Sequence, residues 1–282
     1  MIQHPDRFAH HYWDQVLAKT SRGDPMDTWR AYMQRVYKRL LLDWSPSDKH
    51  GRGLKTDLFE EALSPHHLLP DLGPGSVGVD CSFAVVRAAK ERLSKRSTQY
   101  LLMVGDLRQI PLQSEAVEFV VSGSSLDHFP DKAEIATSLA ELARVLAPGG
   151  TLVITFDNPQ NPVVWLRNHL PVVWLNRLGL VPYYVGATYN RVEARQQLEA
   201  LGLVVTHVTS VVHAPRILAI WLGALAERLG WASLKTLMAG IFDGFENLGR
   251  WPTRLRTGYY LALRAEKKVP LRDGSRRERV RS

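Results

Sequence analysis

The chain has 282 residues, 45% apolar and 23% charged. That composition allows one large α/β domain with decoration, or two small ones, and excludes a fibrous or largely disordered protein. A single cysteine, Cys81, excludes a disulfide scaffold and a cysteine-built zinc site, and agrees with a reducing cytosol. The net charge of +8 is unevenly placed: residues 1–160 carry 18 Lys/Arg against 20 Asp/Glu, and residues 161–282 carry 18 against 8. The basic second half faces either phosphates, of a nucleic acid or an anionic membrane, or simply solvent.

The opening segment MIQHPDRFAHHYWD has no apolar h-region, so no secretory leader is expected. No run of 18 or more residues is strongly apolar and uncharged, so no spanning helix is expected either. The expected location is the cytoplasm, with contact at the inner face of a membrane left open. Residues 1–50 read as an N-terminal helical extension. Phe8, Tyr12, Trp13 and Val16 recur at helical spacing, and after SRGDP so do Trp29, Met33, Val36, Tyr37, Leu40 and Leu41. Trp44-Ser45-Pro46 ends the second helix, because the residue before proline avoids the α region. This aromatic stripe is expected to pack into the core and not to form a ligand box.

Residues 51–267 read as one α/β domain. SVGVD (76–80), YLLMVGD (100–106), VEFVVSG (117–123) and TLVITFD (151–157) are short, β-branched, mostly apolar runs that suit strands buried on both faces of a parallel sheet. Between them, CSFAVVRAAKERLSK (81–95) and DKAEIATSLAELARVLAPGG (131–150) have helical character, the second with a stop at Pro148-Gly149-Gly150. Strand–helix–strand alternation predicts a doubly wound, mostly parallel sheet. With a first strand in RGLKTDLFEEAL (52–63), the helix VEARQQLEALG (192–202) and the runs at 203–213 and 257–267 complete a seven-stranded sheet. Two stretches interrupt the alternation: 159–190, rich in Pro, Trp and Tyr, and 215–252, which reads as helical. Residues 268–282 form a basic tail that is either disordered or phosphate-facing.

In such a sheet the ligand lies beyond the carboxyl ends of the strands. The residues there are Thr56-Asp57, Asp80-Cys81, Gly105-Asp106-Leu107, Ser122 to His128, and Asp157-Asn158. A strand-end carboxylate can accept hydrogen bonds from ribose hydroxyls or an adenine amine; a lone one also caps helices. Asp80 and Asp106 on successive strands weaken the capping reading. His128 is a candidate general base or a structural histidine; Asp127 beside it could orient a neighbour. Asp157-Asn158 reads either as acceptor-binding or as a turn.

The stretch VGVDCSFAVVRAAKERL, VGDLRQIPLQSEAVEFVVSGSSLDHF and LAELARVLAPGGTLVITF, in that order, resembles the class I S-adenosylmethionine-dependent methyltransferases. The resemblance covers about residues 50–160. It implies that Asp80 binds the cofactor ribose, with Cys81 beside it, and that Asp106 and Leu107 lie at the adenine. The family's glycine-rich first motif is absent. RGLKTDLFEEAL (52–63) stands in its place and resembles a variant first motif in which Thr56 and Asp57 replace the glycine turn, Asp57 meeting the cofactor's ammonium; Ser122 joins the same strand-end set. DLGPGSVG (71–78) has the letters G-x-G-x-x-G but runs straight into Val79-Asp80, so it is read as a loop. The expected function is methyl transfer from S-adenosylmethionine to a small, hydrophobic acceptor such as a lipid or quinone. The two insertions are read either as a lid over that acceptor or as added core or a dimer interface. A non-catalytic module with a degenerate cofactor site is the alternative. Nucleic acid is not expected as acceptor, since no RNA-binding signature appears, and no metal site is expected from the histidine spacing.

Overall fold

Seven short runs pair into a single sheet in the computed structural model, which describes residues 9–20, 27–46, 51–65, 67–95, 98–170, 184–228 and 232–269. In chain order the strands are β1 (Gly53–Thr56), β2 (Val77–Asp80), β3 (Leu101–Val104), β4 (Val117–Gly123), β5 (Leu146–Asp157), β6 (Leu203–Val211) and β7 (Tyr260–Lys267). They lie side by side as β3-β2-β1-β4-β5-β7-β6, with only β7 antiparallel to its neighbours. This is the seven-stranded, mostly parallel, doubly wound sheet that the alternation predicts. Strand order reverses where β1 pairs with β4, Thr56 opposite Ser122, so the carboxyl ends of β1, β2 and β4 open onto one crevice.

The helices are α1 (Ala9–Thr20), α2 (Asp27–Trp44), α3 (Phe59–Leu63), α4 (Phe83–Leu93), α5 (Lys132–Val145), α6 (Pro162–His169), α7 (Arg191–Ala200), α8 (Arg216–Arg228), α9 (Ala232–Phe245) and α10 (Arg254–Thr257). Local chemistry fixes several starts. Ser82 Oγ accepts from the Val85 amide ahead of α4, Asp131 accepts from Glu134 ahead of α5, and Asn190 with Glu193 forms a reciprocal capping box on α7; caps of this kind stabilise by ~1 kcal/mol each. Gly202 ends the α7 segment at a φ of 81°, a conformation that favours glycine.

The sheet is covered on both faces. Leu139 and Leu142 of α5 and Leu198 of α7 pack with Val120 and Leu152, whereas Val36, Tyr37 and Leu40 of α2 pack with Phe119, Val121 and Val153. Alternate residues of β4 thus serve opposite layers. Two boundaries differ from the sequence reading. The strand expected over 100–106 shrinks to β3 and is half-exposed, because it is the sheet edge. The helix expected to run to Pro148-Gly149-Gly150 ends at Val145, and β5 starts at once with the buried Leu146 paired to Val117; Pro148 disfavours an α conformation at Ala147.

Within the second insertion, Ala219 of α8 and Met238 and Phe242 of α9 bury against the outer side of α2, sharing one apolar cluster with Trp29 and Tyr32. Those helices back α2 and thicken the core. The portion of the first insertion at 171–183 and the tail from 270 onward lie outside the described residues.

Candidate active site at the strand ends

The segment KTDLFEEA builds a tight β1–α3 turn in which each side chain has a task. Lys55 is 6% exposed and its Nζ lies 2.9 Å from Glu61 Oε2, which is fully buried; the ammonium also donates to the Asp57 carbonyl. Glu61 Oε1 accepts from the Leu68 and Leu69 amides at 3.2 and 3.1 Å. Burial opposes the Lys55 charge, but Glu61 and Asp57 outweigh it and hold its pKa above the ordinary value. Thr56 Oγ1 donates to Ser122 Oγ at 2.9 Å and shares a 2.8 Å bond with Ser125 Oγ, tying β1 to β4. Asp57 takes a φ of 66°, unusual for a residue with a side chain, and its Oδ1 accepts from the Phe59 amide at 2.7 Å. Leu58 and Ala62 are core. Side chains here fix a turn that a glycine-rich motif would leave to backbone.

This turn forms one wall of a cavity of about 270 Å³ at the carboxyl ends of the strands. Asp57, Asp80, Cys81, Asp106, Leu107 and His128 all line it, so six of the eight residues singled out in the sequence converge on one space. Thr56 and Ser122 do not belong to that wall. Both are almost wholly buried and bond each other, and Ser125, which Thr56 holds, faces the cavity in their place.

Asp80 accepts from two backbone amides, Leu58 to Oδ2 and Ser82 to Oδ1, each at 2.8 Å. Burial, and then the charge of Asp57, push its pKa up to about 7 despite those bonds. Asp106 is more open. Burial pushes its carboxyl up, but hydrogen bonds from Arg108 more than offset this and leave it below the ordinary value. Arg108 Nε lies 3.0 Å from both Asp106 oxygens, while its other nitrogens reach Asp106 Oδ2 at 2.5 Å and Glu134 at 3.1 Å. Burial raises the Cys81 thiol far above its ordinary pKa, which keeps it un-ionised.

His128 Nδ1 lies 2.9 Å from the Tyr184 carbonyl, and its ring meets Trp13 edge-on at 4.7 Å. A carbonyl only accepts, so Nδ1 carries the proton and Nε2 is the basic nitrogen. Burial depresses the imidazole pKa. The strip carrying Tyr184 is pinned beside the histidine: the Gly186 amide donates to Asp127 O at 2.7 Å and Ala187 to Phe129 O at 2.8 Å. The approach is so close that a Cβ on Gly186 would lie 1.9 Å from the Phe129 carbonyl oxygen.

Asp127 and Asp157 serve the frame. Asp127 Oδ2 accepts from the Asp157 amide, and Asp157 is ion-paired with Arg167 at 2.6 Å. Asn158 Nδ2 donates to the Leu255 and Gly258 carbonyls. Neither Asp157 nor Asn158 lines the cavity, so the turn reading holds for that pair.

Sequence reasoning missed the opposite wall. Tyr12 and Trp13 of α1 and Arg30, Met33, Gln34 and Tyr37 of α2 line the cavity. Only part of the aromatic stripe is core, and the N-terminal helices occupy the position expected for the insertions. Of the described residues in 159–190 and 215–252, Tyr184 alone reaches the wall. Arg30 is ion-paired with Glu60 of α3. Gln34 Oε1 and Glu60 Oε2 are buried without a hydrogen-bond partner, a costly state unless a ligand donates to them. A signal was present: Arg30 and Gln34 sit four residues apart inside an otherwise apolar stripe.

With strand-end acids, a histidine and this sheet order in place, the comparison with known proteins becomes specific. Residues 64–154 match the family described as a methyltransferase domain. Residues 64–154 thus carry a methyltransferase domain. Over 147 residues, 49% of the chain and 37% of the relative, it is 27% identical to an uncharacterized chloroplastic methyltransferase of Arabidopsis thaliana. Over 89 residues, 31% of the chain and 36% of the relative, it is 30% identical to a ubiquinone/menaquinone biosynthesis C-methyltransferase of Syntrophotalea carbinolica. The matched stretch thus spans little more than a third of either relative. The fold is shared with a methyltransferase of Thermotoga maritima described as a possible histamine N-methyltransferase, at a TM-score of 0.58 and 13% identity over 92% of this chain and 99% of that one.

S-adenosylmethionine is the cofactor of class I methyltransferases, and the residues present fit it. Five carboxylates (Asp57, Glu60, Asp80, Asp106, Glu134) against three cations (Arg30, Lys55, Arg108) line the cavity, an acidic excess suited to a ligand with a sulfonium and an ammonium. Each Asp80 oxygen has a remaining acceptor site after its backbone bond. The orphaned Gln34 and Glu60 oxygens ask for further donors. After β1, Asp57 takes the left-handed turn conformation and Leu58 precedes α3, so no glycine follows the strand.

Proposed function

We propose that this chain transfers a methyl group from S-adenosylmethionine to a small, largely apolar acceptor that it meets at a membrane surface. The carrying observation is the shared cavity: Asp57, Asp80 and Asp106 from three strand ends on one side, aromatic rings from α1 and α2 on the other, and His128 between them. In this reading Asp80 accepts from the ribose hydroxyls, with Cys81 packed beside it. Asp106 and Leu107 meet the adenine, and Asp57 meets the ammonium. Thr56 and Ser122 act at one remove, by holding Ser125.

The cofactor, when bound, supplies an electrophilic methyl carbon on a sulfonium. The protein's own contribution is mostly position and charge. The excess of carboxylates in the wall attracts that cation. Tyr12, Trp13 and Tyr37 give the acceptor an apolar bed, and Gln34 and Glu60 offer it two oxygens that select an O–H or N–H group. His128, held by the Tyr184 carbonyl and neutral through burial, would take the acceptor's proton at Nε2 if the acceptor is a hydroxyl or ammonium that must lose one. A relative named for ubiquinone/menaquinone biosynthesis supports an apolar ring compound as acceptor.

The absence of a glycine-rich turn after β1, where Thr56 and Asp57 stand instead, favours a second reading, a binding module without turnover. One experiment separates the two: the protein is incubated with methyl-labelled S-adenosylmethionine and a panel of apolar phenols, hydroquinones and membrane lipid extract. Label is expected in the organic phase, and His128→Ala is expected to slow its appearance ~100-fold or more while leaving S-adenosylhomocysteine affinity unchanged. Bound cofactor with no labelled product from any of these would favour the module.

A further inference from the structure

We propose that one face of the molecule, formed by α6, the N-terminal part of α8 and residues 247–258, docks on an anionic lipid surface. This builds on the membrane-surface part of the functional reading, and its test needs no methyl transfer. The three segments are one neighbourhood. Arg167 of α6 and Arg216 of α8 both donate to the Tyr259 hydroxyl, at 3.0 and 3.1 Å. Asn161 at the start of α6 donates to the Thr257 carbonyl at 3.0 Å, and His213, just before α8, pairs with Thr257 Oγ1 at 2.8 Å.

Large apolar side chains stand out from this face. Trp165 and Leu166 of α6, Leu218, Trp221 and Leu225 of α8, and Trp251 are all exposed, Trp221 by 75%. On α8 the spacing 218, 221, 225 is that of a single helix face, while Ala219 and Gly223 turn inward. Single exposed apolar residues are ordinary; three exposed tryptophans on segments bonded into one neighbourhood mark an interaction surface.

Charge selects the partner. Residues 158–170, 211–226 and 247–258 contain no Asp or Glu. The last of these segments adds Arg250 and Arg256, both exposed, and Arg254, half-exposed. Tryptophan and leucine on a helix face, flanked by arginine and free of acids, is the pattern of an interfacial element that lies in the headgroup region. Among the described residues no helix is long and apolar enough to cross a membrane. The surface therefore fits a protein that lies on the bilayer, and the anionic headgroup is what its arginines recognise.

Flotation of the full chain with phosphatidylcholine vesicles, with and without phosphatidylglycerol, tests this directly. The chain is expected to float with the anionic vesicles, and the triple change Arg250→Glu, Arg254→Glu, Arg256→Glu should weaken that binding by ~100-fold or more, at about fivefold per neutralised arginine. Trp165→Ser with Trp221→Ser should abolish binding at every salt concentration. Both variants should keep the thermal unfolding midpoint and S-adenosylhomocysteine affinity of the parent. Failure of the parent to float would overturn the docking face, as would variants that float like it. So would sedimentation showing that Trp221→Ser dissociates a dimer, since a second copy would then be the occupant. Flotation without cofactor affinity would leave the face standing and remove the methyltransferase reading.

Discussion

The proposed cofactor site turns on Asp80, whose environment makes a measurable claim. Burial and the neighbouring Asp57 raise its pKa to about 7. A raised carboxyl binds more protons folded than unfolded, so its ionisation costs stability that grows between ~4 and ~7. Ribose hydroxyls donating to it favour the ionised form. Binding of S-adenosylhomocysteine at pH 6.5 is therefore expected to release a proton, seen as a heat that changes with the ionisation enthalpy of the buffer. Affinity should fall by about tenfold per unit as pH drops well below 7. Buffer-independent heats would contradict that assignment. His128 behaves in the opposite sense: its pKa is lowered by burial, so its neutral, basic form persists through neutrality and is lost only on acidification below the ordinary histidine value of ~6.5.

The KTDLFEEA turn shows what an element does when its sequence departs from a familiar pattern. The buried Lys55–Glu61 pair, the Thr56–Ser122 bond and the Asp57–Phe59 turn lock β1 against α3. Breaking one partner of a buried pair is costly because it strands the other charge. Glu61→Gln is expected to lose ~3–5 kcal/mol of unfolding free energy in denaturant titration; a loss under ~1 kcal/mol would mean the pair does not hold the turn.

The strands and their terminal acids were legible because buried parallel strands leave unbroken β-branched runs, and SVGVD and YLLMVGD end in acids that line the cavity. The cavity wall contributed by α1 and α2 was not. Periodicity shows that Trp13, Met33 and Tyr37 share a face with core residues, but not that part of this face lies over an open space. The half-exposed β3 was misjudged for a related reason: burial of an edge strand depends on which neighbour it lacks, and the order of strands across the sheet is not written in the strand itself.

At the scale of the whole molecule, the sheet divides labour between its two ends and faces. Its carboxyl edge gathers acids into a cavity closed by N-terminal helices, while the second insertion backs α2, and segments of both insertions that lack Asp and Glu form the proposed docking face. The charge asymmetry between the chain's halves follows this division. The central claim is that strand-end carboxylates hold an adenosine-containing cofactor, and calorimetry with S-adenosylhomocysteine on the parent and on Asp80→Asn tests it most directly. Asn keeps the side chain's shape but accepts from only one of the two backbone amides, so an unchanged thermal midpoint of the variant is the control that its fold survives. The parent should give a saturable heat, with affinity at least about tenfold weaker in Asp80→Asn, the loss of a charge-assisted hydrogen bond. No heat from the parent at millimolar ligand, or equal affinities in the two proteins, would contradict it.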